Sequence, residues 1–140
     1  MIIAIDFDGT CVTHDFPTVG KDIGAVPVLK ELVANGHKLI LWTMRSDIED
    51  PSSDDSDIHA SGGKYLTDAV NWFRDNGIEL WGIQRNPEQG SWTHSPKAYA
   101  QLYIDDAALG CPLMSVNHHS ERPFVDWAKV RLILTQKGLI

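Results

Sequence analysis

The stretch Met1-Ile2-Ile3-Ala4-Ile5-Asp6-Phe7-Asp8-Gly9-Thr10 decides how the rest of the chain is read. Ile2, Ile3, Ala4 and Ile5 have the branching and unbroken apolarity of a strand buried on both faces, as parallel strands of α/β proteins are. Two aspartates follow where that strand ends. In an extended chain residues i and i+2 share a side and stand about 7 Å apart, at roughly 3.3 Å per residue. That spacing leaves room for one reacting group between two carboxylates. Gly9 then permits a sharp departure, because glycine tolerates positive φ. Taken alone, the stretch is also a strand running into a common Asp-Gly turn. The second aspartate and the downstream pattern separate the two readings.

Beyond Thr10, Cys11 to Gly24 carries Pro17, Gly20 and Gly24 and reads as a short flap with a hairpin tip at Val19-Gly20-Lys21. A helix is expected from near Pro27 to Gly36, with Val28, Leu29, Leu32 and Val33 on one face. Lys38 to Trp42 reads as a second buried strand, closing in Thr43. Residues 44–63 form a long acidic loop, densest from Ser46 to Asp57, with the composition of a solvated, disordered segment. The period of Leu66, Ala69, Val70 and Phe73 predicts a helix over Lys64 to Asn76, stopped by Gly77. Ile78 to Ile83 and Gln101 to Ile104 read as strands, the second ending in Asp105-Asp106. Leu113 to Val116 reads as a last strand. Pro123 to Lys137 reads as a closing helix lined by Val125, Ala128 and Leu132. Strand and helix alternate with neither repeat nor linker. The expectation is a single α/β domain over 1–140, a three-layer Rossmann-like sandwich around a mostly parallel central sheet.

A chain of 140 residues buries roughly two thirds of its unfolded surface without staples. Cys11 and Cys111 stand in no metal-ligand or redox spacing, and no secretory or transit segment is read ahead of the first strand, so a reduced, cytoplasmic protein is expected. No apolar run approaches the roughly 18 residues of a membrane span. A net charge of −7 argues against a general nucleic-acid surface.

Polar groups end three expected strands: Asp6 with Asp8, Thr43, and Asp105 with Asp106. In an open parallel sheet, ligands bind beyond the carboxyl ends of the strands, so these residues should converge. Two unit charges 4 Å apart repel by about 4 kcal/mol at an effective dielectric of 20, so several carboxylates need a cation among them. Mg²⁺, which takes few carboxylates and keeps waters for a substrate to replace, fits better than Ca²⁺. Lys97, upstream of the fourth strand, supplies a second positive charge and Thr43 a hydroxyl donor. Such a set suits phosphoryl transfer, in which positioning and charge neutralisation do most of the work. One aspartate attacks phosphorus; its neighbour handles the protons.

Asp6-Phe7-Asp8-Gly9-Thr10 resembles motif I of the haloacid dehalogenase (HAD) superfamily. Thr43 after Leu39-Ile40-Leu41-Trp42 resembles motif II, Lys97 motif III, and Tyr103-Ile104-Asp105-Asp106 motif IV, all in the family's order. The first is fairly specific, and the ordered set is stronger than any member. The resemblance implies a HAD-like phosphomonoesterase with Asp6 as nucleophile and Mg²⁺ ligand. It implies Asp8 as general acid/base, its carbonyl also on Mg²⁺, and Thr43 and Lys97 on the phosphoryl group. Asp106 matches the family's direct metal ligand, with Asp105 orienting it or Lys97. Asp8 argues against carbon–halogen chemistry. With only a flap after motif I and no insertion between motifs II and III, the chain is similar to small capless members. Those have an open site that a bulky phosphorylated substrate fills or a second subunit of a homo-oligomer covers.

Arg45 reads either as a grip on phosphate, or on a substrate's second anionic group, or as a surface ion pair. His94, His118 and His119 lack ligand spacing, and Cys11 lacks a base, so a packed thiol is expected. Trp42, Trp72, Trp81 and Trp127 fall in core elements; Trp92, in a loop, is the candidate for substrate stacking. Two rival readings stand beside the enzyme. A phosphoaccepting receiver domain gathers similar residues, but its acidic pair ends the first strand and a lone aspartate the middle one, whereas here the middle strand ends in Thr43 and the aspartate pair comes last. A non-catalytic HAD-fold binding protein would not need every motif position filled.

Overall fold

The computed structural model describes residues 1–48, 62–114 and 122–140. The acid-rich run from Glu49 to Asp57, His118-His119 and the expected strand end at Val116 fall outside them. Strand β1 (Ile2–Ile5) lies at the centre of a four-stranded parallel sheet, flanked on one side by β2 (Lys38–Leu41) and then β5 (Gly82–Ile83) and on the other by β6 (Leu102–Ile104). Parallel neighbours need long connections. Helix α1 (Ala25–Ala34) links β1 to β2, and α2 (Tyr65–Asp75) leads to β5. The chain then returns to β6 on the far side of β1. Ile3 pairs with Leu39 and Leu102, and Ile5 with Leu41 and Ile104.

Ile3, Ile5, Leu39 and Leu41 share one sheet face and belong to a single buried cluster with Leu29 and Leu32 of α1, Phe73 of α2, and Val130 and Leu134 of α3 (Trp127–Gln136). Ala4 and Ile40, on the other face, are equally buried but lie outside that cluster. The strands are thus enclosed on both faces, as their unbroken apolarity requires. Among the described residues the fold is α/β with three α-helices, compatible with a Rossmann-like arrangement. No helix of the described residues is long and apolar enough to cross a membrane.

Several expected elements shorten. Ile78 is spent on the helix before it, its N–H bonding to Phe73 O at 2.9 Å past Gly77, so only Gly82–Ile83 pairs with β2. The closing helix begins at Trp127, where the Asp126 carboxylate accepts the Lys129 N–H as an N-cap. Upstream, β8 (Phe124–Val125) pairs antiparallel with β7 (Leu113–Met114) instead of continuing the helix. The Val125 N–H is taken by Gly9 O at 3.0 Å, which ties that ribbon to the loop after β1. The ends of the acidic loop are ordered too: β3 (Asp47–Ile48) pairs with β4 (Gly63–Lys64). Asp47 accepts both the Thr67 N–H and hydroxyl at the start of α2, and those bonds hold its carboxyl below the usual range.

Candidate active site

From β1 the chain steps to β2 and β5 on one side and to β6 on the other. The carboxyl ends of β1 and β6 therefore flank the switch point at which open parallel sheets form their crevice. Asp6 leaves β1 with its N–H on Ile104 O at 3.0 Å, which places it beside Asp105 and Asp106. One carboxylate oxygen from each of Asp6, Asp105 and Asp106 lies within 4.8 Å of the other two. Burial chiefly pushes the Asp6 carboxyl up to about 7; the Phe7 N–H and Thr10 hydroxyl oppose the rise, and the Asp105 and Asp106 charges add to it. Bringing three carboxylates together with so little countercharge is costly unless something positive joins them.

Thr10 holds this junction. Fully buried, its hydroxyl donates to Asp6 Oδ2 at 2.9 Å, lies 3.3 Å from Asp106 Oδ1 and accepts the Asp106 N–H at 3.0 Å. The Trp127 indole N–H fixes the Thr10 carbonyl at 2.7 Å. Gly9 makes the turn possible: its φ is +76°, and a Cβ there would come within 2.1 Å of the His14 ring and 2.9 Å of Asp106 Oδ2. His14 Nε2 stands 3.2 Å from Asp106 Oδ2 and 3.1 Å from Pro123 O. Cys11 is a packed thiol, buried, with its S–H directed to Asp6 O.

Asp8 does not share this cluster. The chain turns after Phe7, whose carbonyl accepts the N–H groups of Thr10 and Cys11, so Asp6 and Asp8 are not presented by one extended strand. Arg45 takes Asp8 in a two-pronged pair, Nε to Oδ2 at 2.7 Å and Nη2 to Oδ1 at 2.8 Å. The rest of the guanidinium donates to the carbonyls of Pro17, Thr18 and Tyr65. Arg45 is thus neither a surface residue nor a residue with a donor left for phosphate: it is 2% exposed and all five of its guanidinium N–H groups are engaged.

Two clefts open here, with the exposed Met44 as a common wall. One, of about 410 Å³, is lined by Asp6, Asp105, Trp42, Thr43 and Gln84. The other, of about 500 Å³, is lined by Asp8, His14, Phe16, Arg45 and Arg122. Thr43 accepts the Arg45 N–H at its Oγ1, which leaves its hydroxyl proton to donate. Gln84, at a left-handed φ of 58°, holds the Thr43 backbone with its side-chain amide. Of the expected site residues, Asp106 and Lys97 line neither cleft, but Asp106 belongs to the carboxylate cluster and Lys97 does not. Lys97 is exposed, with its ammonium over the Tyr103 ring at 5.6 Å. Trp92 is also remote from both clefts, edge-on to Tyr99.

The sequence reading gave no role to Thr10, His14 or Gln84. Thr10 stands inside the opening motif and was legible there. His14 and Gln84 act through contacts that no spacing announces. Asp6, Asp105 and Asp106 form an all-carboxylate donor set, the hard oxygen chemistry that Mg²⁺ takes.

Among solved structures, the chain is similar to a conserved protein from Bacteroides thetaiotaomicron. The identity is 32%, the match covers 98% of this chain and 91% of that one, and the TM-score is 0.70. The chain belongs to the same family as that protein. No family model and no curated protein matches it.

Proposed function

We propose that this chain is a HAD-like, Mg²⁺-dependent phosphomonoesterase that works through an aspartyl-phosphate on Asp6. The observation that carries the reading is the convergence of Asp6, Asp105 and Asp106 at the sheet's switch point, with Thr43 lining the same cleft. Asp6, Asp105 and Asp106 would hold the Mg²⁺, with the Asp8 carbonyl as a further ligand. When bound there, Mg²⁺ supplies the positive charge that offsets these carboxylates and the phosphoryl oxygens.

Asp6 attacks phosphorus and the ester oxygen leaves; Asp8 protonates that oxygen, then takes a proton from the water that cleaves the acyl phosphate. Both Asp8 oxygens accept from Arg45, so as an acid Asp8 carries its proton on an oxygen lone pair turned into the cleft that it lines, and as a base it takes the proton back there. The Thr43 hydroxyl donates to the phosphoryl group. Lys97 serves only if its side chain leaves Tyr103.

The burial of Ala4, Ile40 and Ala98 supports a third layer, formed by the 84–101 segment in place of a helix. We place the protein in a reduced, cytoplasmic setting, in keeping with its two free cysteines. The open clefts suit a phosphorylated substrate whose bulk, or a second subunit, covers the site. The test is hydrolysis of 4-nitrophenyl phosphate with and without Mg²⁺, beside Asp6→Asn. Metal-dependent turnover lost in the variant is expected; turnover without metal, or full activity in the variant, overturns the reading.

A further inference from the structure

The most heavily bonded side chain near the clefts is Arg45, and what it joins is informative. Four separate segments meet on one guanidinium: Asp8 of the loop after β1, Pro17 and Thr18 of the flap, Tyr65 at the first residue of α2, and its own strand-end loop after Thr43. Its faces are covered as well. The ring of Phe7 lies 5.0 Å from the guanidinium carbon and that of Phe16 5.1 Å, and Phe16 packs edge-on against Tyr65 at 5.3 Å. Phe16 comes from the flap, so the flap closes over Arg45 with an aromatic ring and two carbonyls. The base of the flap is held by its own bonds, among them Thr13 N–H to Lys21 O, Lys21 N–H to Thr13 Oγ1, Asp15 N–H to Thr13 O and the Thr13 hydroxyl to Asp15, and by His14 against Pro123 O and Asp106; at the tip the Thr18 hydroxyl bonds Asp15 O. Besides the Phe16–Tyr65 contact, what joins the tip at Pro17 and Thr18 to α2 among the described residues is the Arg45 guanidinium.

We propose that Arg45 is a positioning residue, a latch that fastens the flap to α2 and in the same grip fixes the direction of the Asp8 carboxylate. A bidentate arginine–carboxylate pair sets a carboxylate's plane as well as its place, which a lysine does not do. The flap and the proton-transfer group are therefore set by one side chain. Loosening it frees both. The link to Asp8 rests on the role proposed for Asp8 above; the link to the flap does not.

The experiment uses the full chain with Mg²⁺ and the variants Arg45→Lys, Arg45→Gln, Asp8→Asn and the Asp8→Asn/Arg45→Gln double. Two substrates are compared, 4-nitrophenyl phosphate, whose leaving group needs little help from an acid, and phenyl phosphate, which needs more. Both Arg45 variants should lose kcat on phenyl phosphate, on the order of 10–100-fold. Much less should be lost on 4-nitrophenyl phosphate, KM should hold, and the double variant should be no slower than Asp8→Asn. A generally weakened fold would slow both substrates alike. Hydrogen exchange is read in parallel: the Thr13 and Lys21 amides should exchange roughly tenfold faster in both variants. A raised KM with kcat intact, additive losses in the double variant, or unchanged flap exchange overturns the latch. If the parent chain hydrolyses neither ester, the phosphatase reading fails and the exchange measurement alone decides whether Arg45 holds the flap. Arg45→Lys keeps the charge and serves should Arg45→Gln not fold.

Discussion

Asp6 and Asp8 are the same residue type two positions apart, and the fold treats them in opposite ways. Asp6 sits against two further carboxylates with only the neutral Phe7 N–H and Thr10 hydroxyl donating to it, and burial pushes its carboxyl up to about 7. Asp8 has both oxygens on one buried guanidinium. One carboxylate is left short of positive charge and the other is saturated with it. Local pairing, not position on a strand, sets the two carboxylates apart: in the proposed mechanism the unbalanced group is the one that a cation and a phosphoryl group complete.

Replacing each carboxylate by its amide should break the comparison most widely. Asp6→Asn should abolish turnover yet stabilise the cation-free protein. At about 1.4 kcal/mol for each pH unit between 3.8 and about 7, keeping Asp6 charged costs the fold up to about 4 kcal/mol. Asp8→Asn should slow turnover and destabilise by about 2–5 kcal/mol, because Arg45 keeps its burial and loses its countercharge. Urea unfolding of the two variants without metal should move the midpoint in opposite directions. Movement the same way would end the contrast.

The same contrast can be sharpened with pH. A carboxyl whose folded pKa is raised favours the fold below its ordinary value, and that advantage is lost as pH climbs from about 3.8 through about 7. The cation-free protein should therefore melt lower at pH 8 than at pH 5.5. In the proposed site Mg²⁺ takes Asp6 in its charged form, so the rise in Tm on adding Mg²⁺ should be larger at pH 8. Thermal melts at the two pH values, with and without Mg²⁺, check this, and Asp6→Asn should erase most of the difference.

Much of this site was legible in the chain because it depends on where buried strands stop. Ile2 to Ile5, Lys38 to Leu41 and Leu102 to Ile104 are apolar runs that end in polar residues, and parallel pairing carries those ends to one edge. Thr43 and the three clustered aspartates follow from that rule alone. Arg45 did not, because its role depends on a flap and a helix start that meet only in three dimensions. Phe124–Val125 misled in a different way. Their apolarity suits either a helix or a strand, and what decides is the Asp126 cap and the Gly9 carbonyl, neither visible as a period. The 84–101 segment, with its buried Asn86 bonded to Tyr99 O and to two backbone N–H groups, builds structure from polar residues that lack periodicity.

Gly9 carries both halves of the comparison, since the turn there sends Asp6 and Asp8 to different clefts. Gly9→Ala would set a methyl against His14 and Asp106 at a φ of +76°. A cost of about 1–3 kcal/mol is expected, with weaker Mg²⁺ binding as Asp106 is displaced. Isothermal titration with Mg²⁺ would reveal it; unchanged affinity would mean that the loop gives way elsewhere.

The smallest effect is expected at Lys97. Lysine's ammonium is a strongly hydrated point charge on a flexible stem, so its rest position over Tyr103 is only weakly held. An exposed cation–π contact contributes about 0.5–1 kcal/mol. If Lys97 stays there, Lys97→Ala should change KM for 4-nitrophenyl phosphate by no more than about threefold, within the range of ordinary surface substitutions. Should KM rise by an order of magnitude or more with stability unchanged, the lysine swings into the cleft when phosphate arrives. Part of the positive charge beside Asp6 would then come from the protein itself, and with phosphate bound Asp6 would be less unlike Asp8 than it is in this structure.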